Sequence, residues 1–425
     1  MVNIALSNSR FAVGYVSPRV EVKNLEAAVT TDVLRRPIYS NRVRQQKLRT
    51  SIGFRAKLSK LAAETGRSYF NLLAEIAMLR LGAGSLSFDE YVRLSLFDRN
   101  IVADANKKDF VGLNAARKIW LQANYRLDAF GLVNNKLASD ILFVTHGFPI
   151  LPTFAMFHEK IGRPCPFLLQ SDLELRAFLT KGDHFPFFGK PINGFQSIGS
   201  ESVDRYNPAR DCLVTTTGRE ISVDTFISYV KSHAASGYLF QHRVSPHSAV
   251  REICGDRLAT VRLLTIITEG ETKLLRACWK IPAGTNTADN FWRPGNLLAQ
   301  LDHESGRVLR VVRGNGTNYE EITHHPDTGT RIVGVVVPNW REVTQLAIDG
   351  AKIIEEIPLV GWDIAPVDSG AIMVEPNATP DFNLHQLADR RGILDTTFRA
   401  FLAERKRNYA DQLRTAKRMR SQDGH

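Results

Sequence analysis

The sequence predicts an α+β protein, and three observations carry that prediction. Apolar residues recur at helical spacing in some segments and gather into short strand-like runs in others. Helices and mostly antiparallel strands are mixed, without the regular alternation of a doubly wound sheet. Near the C-terminus, the apolar stretch from Val360 to Asn377 is broken only by Asp368-Ser369-Gly370, and reads as a β-hairpin.

Residues 1–55 form a basic, largely irregular arm in which no period survives and Pro18 and Pro37 punctuate. Residues 56–130 read as a helical lead-in. Helical spacing is interrupted there by Gly82-Ala83-Gly84, and Ser87, followed by Asp89 and Glu90, marks a new helix start. "NAARKIWLQAN" is a further helix, and another runs from about Asn135 to Gly147. The main domain, 131–398, continues with a strand-like run near Pro149, the helix "SDLELRAFLTK", the strand "FPFFGKP", a Gly/Ser loop and "VTTTGREIS". The helix "VDTFISYVKSHA" and the strands "YLFQHRV", "LATVRLLTIIT" and "TKLLRACWKI" come next. Pro282 to His325 reads as a long polar region, followed by the helix "NWREVTQLAIDGAKIIEEI", the hairpin and a helix around "LHQLADR". Residues 399–425 read as a basic helix or tail.

The net charge of +11 is unevenly spread: Leu34 to Lys60 contains no acid, and "ERKRNYADQLRTAKRMRSQ" is strongly basic. Such segments can meet an anionic polymer or membrane leaflet, or can be a solvated arm and a charged helix. No aromatic residues alternate with the charges as a single-strand platform requires, which favours the second reading. Cys165, Cys212, Cys254 and Cys278 are scattered, as expected of thiols in a reducing compartment. No stretch approaches the ~20 apolar residues of a membrane helix, and the N-terminus lacks a signal-peptide layout. A cytoplasmic protein without an integral membrane segment is expected.

The hairpin raises a charge problem. A three-residue loop with Gly370 in the left-handed region would place Asp363 directly opposite Glu375, with Asn377 on the same face. Like charges across a strand pair repel, and Trp362, Ile364, Ile372 and Val374 imply that the hairpin is packed. A cation between the acids reverses the sign of that interaction. Because all three side chains offer oxygen, the cation expected is a hard one such as Mg²⁺. The alternative is a surface hairpin with tolerated acids.

Other motifs are less specific. "GKPINGFQSIGSES" sets Lys190 at the end of a strand before Gly194 and Gly199, an arrangement able to approach phosphate or to form an ordinary hairpin. It is neither a Walker A loop nor GxGxxG. Arg262 on an apolar strand requires a carboxylate or an anion. Asp289 and Asn290 could cap a loop or touch a substrate, and His324-His325, lacking a third ligand nearby, read as structural. No GxSxG element is present.

The block "GWDIAPVDSGAIMVEPN", with its Asp, a Glu twelve residues later and E-x-N, resembles the magnesium-binding hairpin of the ATP-grasp superfamily. Its continuation through "LHQLADRRGIL" is similar to the sugar-transfer-associated ATP-grasp family. So are "LSFDEYVRLSLFD", "LATVRLLT", "TADNFWRPGN" and "RIVGVVVPNW", so that the resemblance spans Leu86 to Leu394. It implies two α+β subdomains gripping ATP behind the helical lead-in. Carried over, Lys136 and Lys190 match the two nucleotide-binding lysines, and Asn193 to Ser200, including Gly194, Ser197 and Gly199, match the loop covering the phosphates. Gln241, His242 and Arg243 occupy the adenine hinge, where many relatives carry an acid; a carboxylate contact from that segment is thereby lost. Arg262 matches the arginine facing the transferred phosphate, and Lys280 is a second candidate for that charge. Asp363, Glu375 and Asn377 match the Mg²⁺ ligands.

The resemblance implies an ATP- and Mg²⁺-dependent ligase that activates a carboxylate as an acyl phosphate for attack by an amine or similar nucleophile, with a link to glycan assembly. The carboxylate donor and the acceptor are not readable from the sequence. The other readings are a phosphotransferase, a nucleotide-binding protein without catalysis, and a protein that binds anionic polymer or membrane through its basic ends.

Overall fold

Local signals start the helices where the sequence places them. The computed structural model describes residues 53–160, 167–194, 198–233 and 237–422. The arm to residue 52, Cys165, Ser197 and residues 423–425 lie outside these ranges. The chain divides into two compact units, Met1–Glu64 and Thr65–His425. The described part of the first lies in α1 (Phe54–Thr65).

The second unit opens with α2 (Tyr69–Leu81), α3 (Phe88–Arg93) and α4 (Leu113–Ala123). Ser87 caps α3 through a capping box with Glu90. The Glu90 carboxylate also accepts the Leu113 N–H at 2.6 Å, so one acid fixes the starts of two helices. Next come α5 (Phe130–Asn134) and α6 (Lys136–Thr145), the latter capped by the Asn135 side chain on the Ala138 N–H.

Among the described residues, fourteen strands form two seven-stranded sheets. The smaller in sequence span has the order β2-β1-β7-β3-β4-β5-β6. Its strands are β1 (Thr153–Phe157), β2 (Leu168–Leu169), β3 (Phe187–Pro191), β4 (Glu201–Asn207), β5 (Cys212–Thr215), β6 (Glu220–Ser222) and β7 (Tyr238–His242). Helices α7 (Asp172–Lys181) and α8 (Val223–His233) bury Leu175, Leu179, Phe226 and Val230 with Phe187, Val203 and Phe240 of this sheet. After α9 (Ser248–Cys254), the second sheet follows in the order β12-β11-β10-β9-β8-β13-β14. Its first strands are β8 (Val261–Thr268), β9 (Glu271–Ile281), β10 (Leu297–Leu301), β11 (Val308–Arg313) and β12 (Glu320–Ile322). The hairpin supplies β13 (Leu359–Val367) and β14 (Gly370–Asn377).

The stretch from Pro282 to His325 is thus not a polar loop region; it contributes β10, β11 and β12. Its strands are short and separated by Gly- and Asn-rich turns, so their buried residues, such as Leu297, Leu298, Val311 and Val312, leave too little periodicity to read.

Alternation along β9 explains how the second sheet builds a site. Ala277, Trp279 and Ile281 join the core with Trp362 and with Val343, Ala347 and Ala351 of α10 (Trp340–Ile353). Arg276, Cys278 and Lys280 therefore fall on the opposite face. That face is covered in part by α11 (Phe382–Asp389); the long α12 (Thr396–Gln422) closes the chain.

Asp363 does pair with Glu375, but by a different route from the one the sequence predicts. Val367 pairs with Gly370, so the loop has two residues, Asp368 and Ser369. A bulge between Asp363 and Ile364 then restores the register, and two one-residue departures cancel. Gly370 has φ +127°, a conformation that L side chains disfavour.

Candidate functional site

The site begins at the first turn of α6. Lys136 and Asp140 are four residues apart and share a helix face. Lys136 donates from Nζ to the Gly194 carbonyl at 2.6 Å and lies 3.6 Å from a Glu375 carboxylate oxygen. Together with Ser139, Val374 and Asn377, these residues line a cleft between α6, the loop after β3 and the end of β14. The segment before β1 fixes the hairpin beside α6, for the Met373 N–H donates to the Pro149 carbonyl at 2.8 Å.

On β3, Lys190 is 6% exposed and forms no ion pair among the described residues. Burial lowers its pKa, opposed chiefly by Asp140 and then by Glu375. Gly189 beside it is required by packing, because a Cβ there would lie 2.6 Å from the Tyr238 ring. The Tyr238 hydroxyl in turn donates to the Gly199 carbonyl at 2.9 Å, anchoring the far end of the loop. Gly199 has φ +81°, and a Cβ would sit 2.8 Å from His233 and Pro191.

The charge problem of the hairpin is met first by side chains. Arg262 grips Asp363 bidentately at 2.5 and 2.7 Å, and Lys280 approaches the same carboxylate at 3.1 Å. Lys280 also lies 3.4 Å from Asp289, which accepts from the Thr260 N–H at 2.7 Å and from the Thr260 hydroxyl. Burial pushes the Asp363 carboxyl up, but Arg262 and Lys280 outweigh it and hold the group down at about 2. Burial pushes Asp289 up despite Lys280. Arg262 is therefore an internal salt-bridge partner here, one of the two roles its sequence context allows. Register extends the row: Glu375, Asp363, Arg262 and Cys278 are successive cross-strand partners.

Of the hinge residues, Gln241 is buried and directs Nε2 to the Leu151 carbonyl, Thr153 and Asp140 at 3.0–3.3 Å, and its Oε1 has no partner among the described residues. His242 is exposed and stacks on Phe154, with ring centroids 4.3 Å apart. Arg243 is engaged by Asp204, by Asp256 at 3.2 Å and by the Thr216 hydroxyl at 2.8 Å. Neither the His242 nor the Arg243 side chain lines the cleft.

Asp140 escapes sequence reasoning. Its carboxylate accepts from Thr153 at 3.1 Å and from Gln241, and burial raises its pKa against the pull of Lys190 and Lys136. The one available signal was its position a helical turn after Lys136. Among the described residues no three His, Cys, Asp or Glu side chains are gathered as a metal site. A cation at the hairpin thus needs the amide of Asn377 as a donor. Its Oδ1 is the atom that can meet a cation, while its buried Nδ2 has no partner among the described residues.

The sequence profile of the sugar-transfer associated ATP-grasp family matches residues 116–400, well over half of the chain. The chain belongs to that family. This member of the sugar-transfer associated ATP-grasp family is also similar in structure to several ligases. The D-alanine–D-alanine ligase from Coxiella burnetii is 11% identical, with 70% of this chain and 63% of that one covered and a TM-score of 0.41. The VanG D-Ala:D-Ser ligase from Enterococcus faecalis is 10% identical, with 65% and 62% covered and a TM-score of 0.38. The ATP-grasp ligase PsnB, solved with its minimal precursor, is 15% identical, with the same coverage and a TM-score of 0.35. The chain thus spans less than two thirds of the length of each. No curated protein matches it.

Proposed function

We propose that this ATP-grasp protein is an ATP-dependent ligase that activates a carboxylate as an acyl phosphate for attack by an amine or similar nucleophile. The observation that carries the reading is the cleft itself. Beside its lining residues Lys136, Asp140 and Glu375 stands Lys190, a buried lysine that forms no ion pair among the described residues, in a chain of this family. A buried charge requires a partner, and ionisable groups perturbed by burial cluster at functional sites.

The residues fit a hard cation. Glu375 and Asn377 line the cleft with oxygen donors, and Asp363 stands directly across from Glu375. When bound, Mg²⁺ would neutralise phosphate oxygens of ATP and polarise the transferred group. Asp363 joins that set only if Arg262 and Lys280 exchange it for another anion. Exchange of this kind suits phosphoryl transfer, which depends on positioning and charge neutralisation. In the free site Glu375 holds Lys136, and Asp363 holds Arg262 and Lys280. With nucleotide present, the lysines and Arg262 turn to phosphate.

In the reaction, a substrate carboxylate oxygen forms a bond to the γ-phosphorus as the bond to the β-bridging oxygen breaks, releasing ADP. The nucleophile then attacks the acyl carbon, phosphate leaves, and the amine proton passes to solvent. The description of the family supports a substrate connected with glycan assembly. A second reading, nucleotide binding without turnover, is favoured by the tight Arg262–Asp363 pair.

Calorimetry of ATP binding with and without Mg²⁺, on wild type and Glu375→Gln, tests the proposal. Mg²⁺-dependent binding that weakens at least tenfold in the variant is expected. ADP release in a screen of carboxylates and amines then separates a ligase from a silent binder. Absence of ATP binding by the wild type, even with candidate substrates present, would overturn the reading.

A further inference from the structure

Helix α2 is apolar on two opposite faces. Its inner face carries Leu72, Ile76 and Leu79, all buried. Its outer face carries Phe70, Ala74, Ala77 and Leu81, at the i, i+4, i+7 and i+11 spacing of a seam between paired helices, with Leu73 and Met78 along its borders. Phe70, Met78 and Leu81 are 76, 54 and 89% exposed, and Ala74 and Ala77 are exposed beside them. A helix that is apolar all round is ordinarily covered all round. The outer face therefore lacks its covering surface among the described residues.

The two charged residues of α2 stay off that face. Glu75 turns inward, where its carboxylate accepts from Arg67 at 2.7 Å, from the Tyr91 hydroxyl at 3.0 Å and from Lys107 at 2.7 Å. Arg80 stands at one edge of the seam and Asn71 at the other. A charged or polar partner thus finds nothing on the seam to pair with. Phe70, Met78 and Leu81 together offer roughly 400 Å² of apolar surface, a size at which an exposed patch marks an interaction site. Two such faces, with their alanines and Leu73, bury about 1,000 Å² in all, the lower bound of a specific association.

We propose that α2 pairs with α2 of a second copy of this chain, antiparallel across a two-fold axis. The seam reads large, small, small, large in either direction, so it complements itself about its midpoint between Glu75 and Ile76. The axis sets Phe70 against Leu81 of the partner subunit at each end, and Ala74 against Ala77 of the partner subunit in the middle. The alanines let the two backbones approach, and the large side chains close the ends. Antiparallel helices oppose their macrodipoles. They also hold the two Arg80 side chains about 14 Å apart along the axis, so no like charges meet. An interface of this size makes a weak dimer that forms as concentration rises.

Sedimentation velocity of the full-length protein, over a series from about 1 to about 300 µM, is the test. Wild type should pass from monomer to dimer within it. Phe70→Glu alone, or Leu81→Lys alone, should weaken the association at least about tenfold. Thermal unfolding should stay unchanged in both, because both side chains are exposed. An equal mixture of the two variants should recover the dimer. The new carboxylate of one then faces the new ammonium of the other, while Leu81 and Phe70 still meet at the opposite end. Wild type that is monomeric throughout the series overturns the proposal and leaves the face to a partner of another kind. A dimer that neither substitution weakens overturns it as well. Single variants that lose the dimer, with no recovery on mixing, would overturn the antiparallel pairing.

Discussion

The ion cluster at Asp363 and the cleft at Asp140 share one site and follow opposite plans. In the cluster, Asp289, Lys280, Asp363 and Arg262 alternate in sign, and each touches the next at 2.5–3.4 Å. At and beside the cleft, Lys190 feels the charge of Asp140 but forms no ion pair, and Gln241 Oε1 and Asn377 Nδ2 have no partners, among the described residues. Buried charges are tolerated when paired and costly when alone. In the free site the cluster's hydrogen-bonding capacity is taken up by its own pairs and is released only by exchange, while the cleft keeps capacity that a ligand can use directly. Substitutions in the first should act chiefly on stability, and in the second chiefly on binding.

The largest effect is expected at Asp363. Asp363→Ala strands Arg262, under 10% exposed, as a buried cation and leaves the equally buried Lys280 with Asp289 alone. Urea unfolding should show a loss of about 3–5 kcal/mol. The pH dependence has a definite sign. Held at about 2 when folded, against about 3.9 unfolded, the carboxyl contributes its full stability above the unfolded value. That contribution is lost as pH falls towards 2. Wild type should weaken through this window, and the variant should weaken less. A loss under about 1 kcal/mol would break the comparison, because the cluster would then not be a stability element.

Lys190→Met reverses the pattern. It removes a buried cation that has no ion pair among the described residues, so stability should hold within about 0.5 kcal/mol of wild type or rise. Binding of Mg²⁺-ATP by calorimetry should fall about 10- to 100-fold. Unaltered affinity with lowered stability would place Lys190 among the structural charges and merge the two regions.

The same contrast separates what the sequence discloses from what it hides. Asp363 and Glu375 could be paired on paper because a hairpin register is a local property of two strands and a turn. That pairing survived a wrong loop length because the bulge compensated. The alternation of β9 likewise announces an inward Trp279 and an outward Lys280. The strands β10 to β12 were hidden although β10 and β11 are largely apolar, because they are short and set among polar turns, and the partners that bury them lie distant in sequence. Asp140 was hidden for a related reason. Within its own helix only the turn from Lys136 marks it; the packing of α6 against β7 and the hairpin sets it near Lys190, Gln241 and Glu375.

Asp140 gives the smallest effect and the finest test. Its folded-state pKa is raised, chiefly by burial, so the folded protein holds this proton more tightly than the unfolded chain. Stability from the group is complete below the unfolded value of about 3.9 and declines as pH rises through the folded one. Asp140→Asn removes that decline. The variant should melt about 1–2 °C above wild type near neutral pH, and the gap should close in acid, as thermal scans across a pH series would record. The substitution also withdraws the nearest negative charge from Lys190, leaving phosphate less competition for that ammonium, so Mg²⁺-ATP should bind equally well or better. A variant less stable than wild type at neutral pH would mean that Asp140 and Lys190 act as a true ion pair. The cleft would then be as closed as the cluster at Asp363, and the unspent capacity would reduce to Gln241 and Asn377.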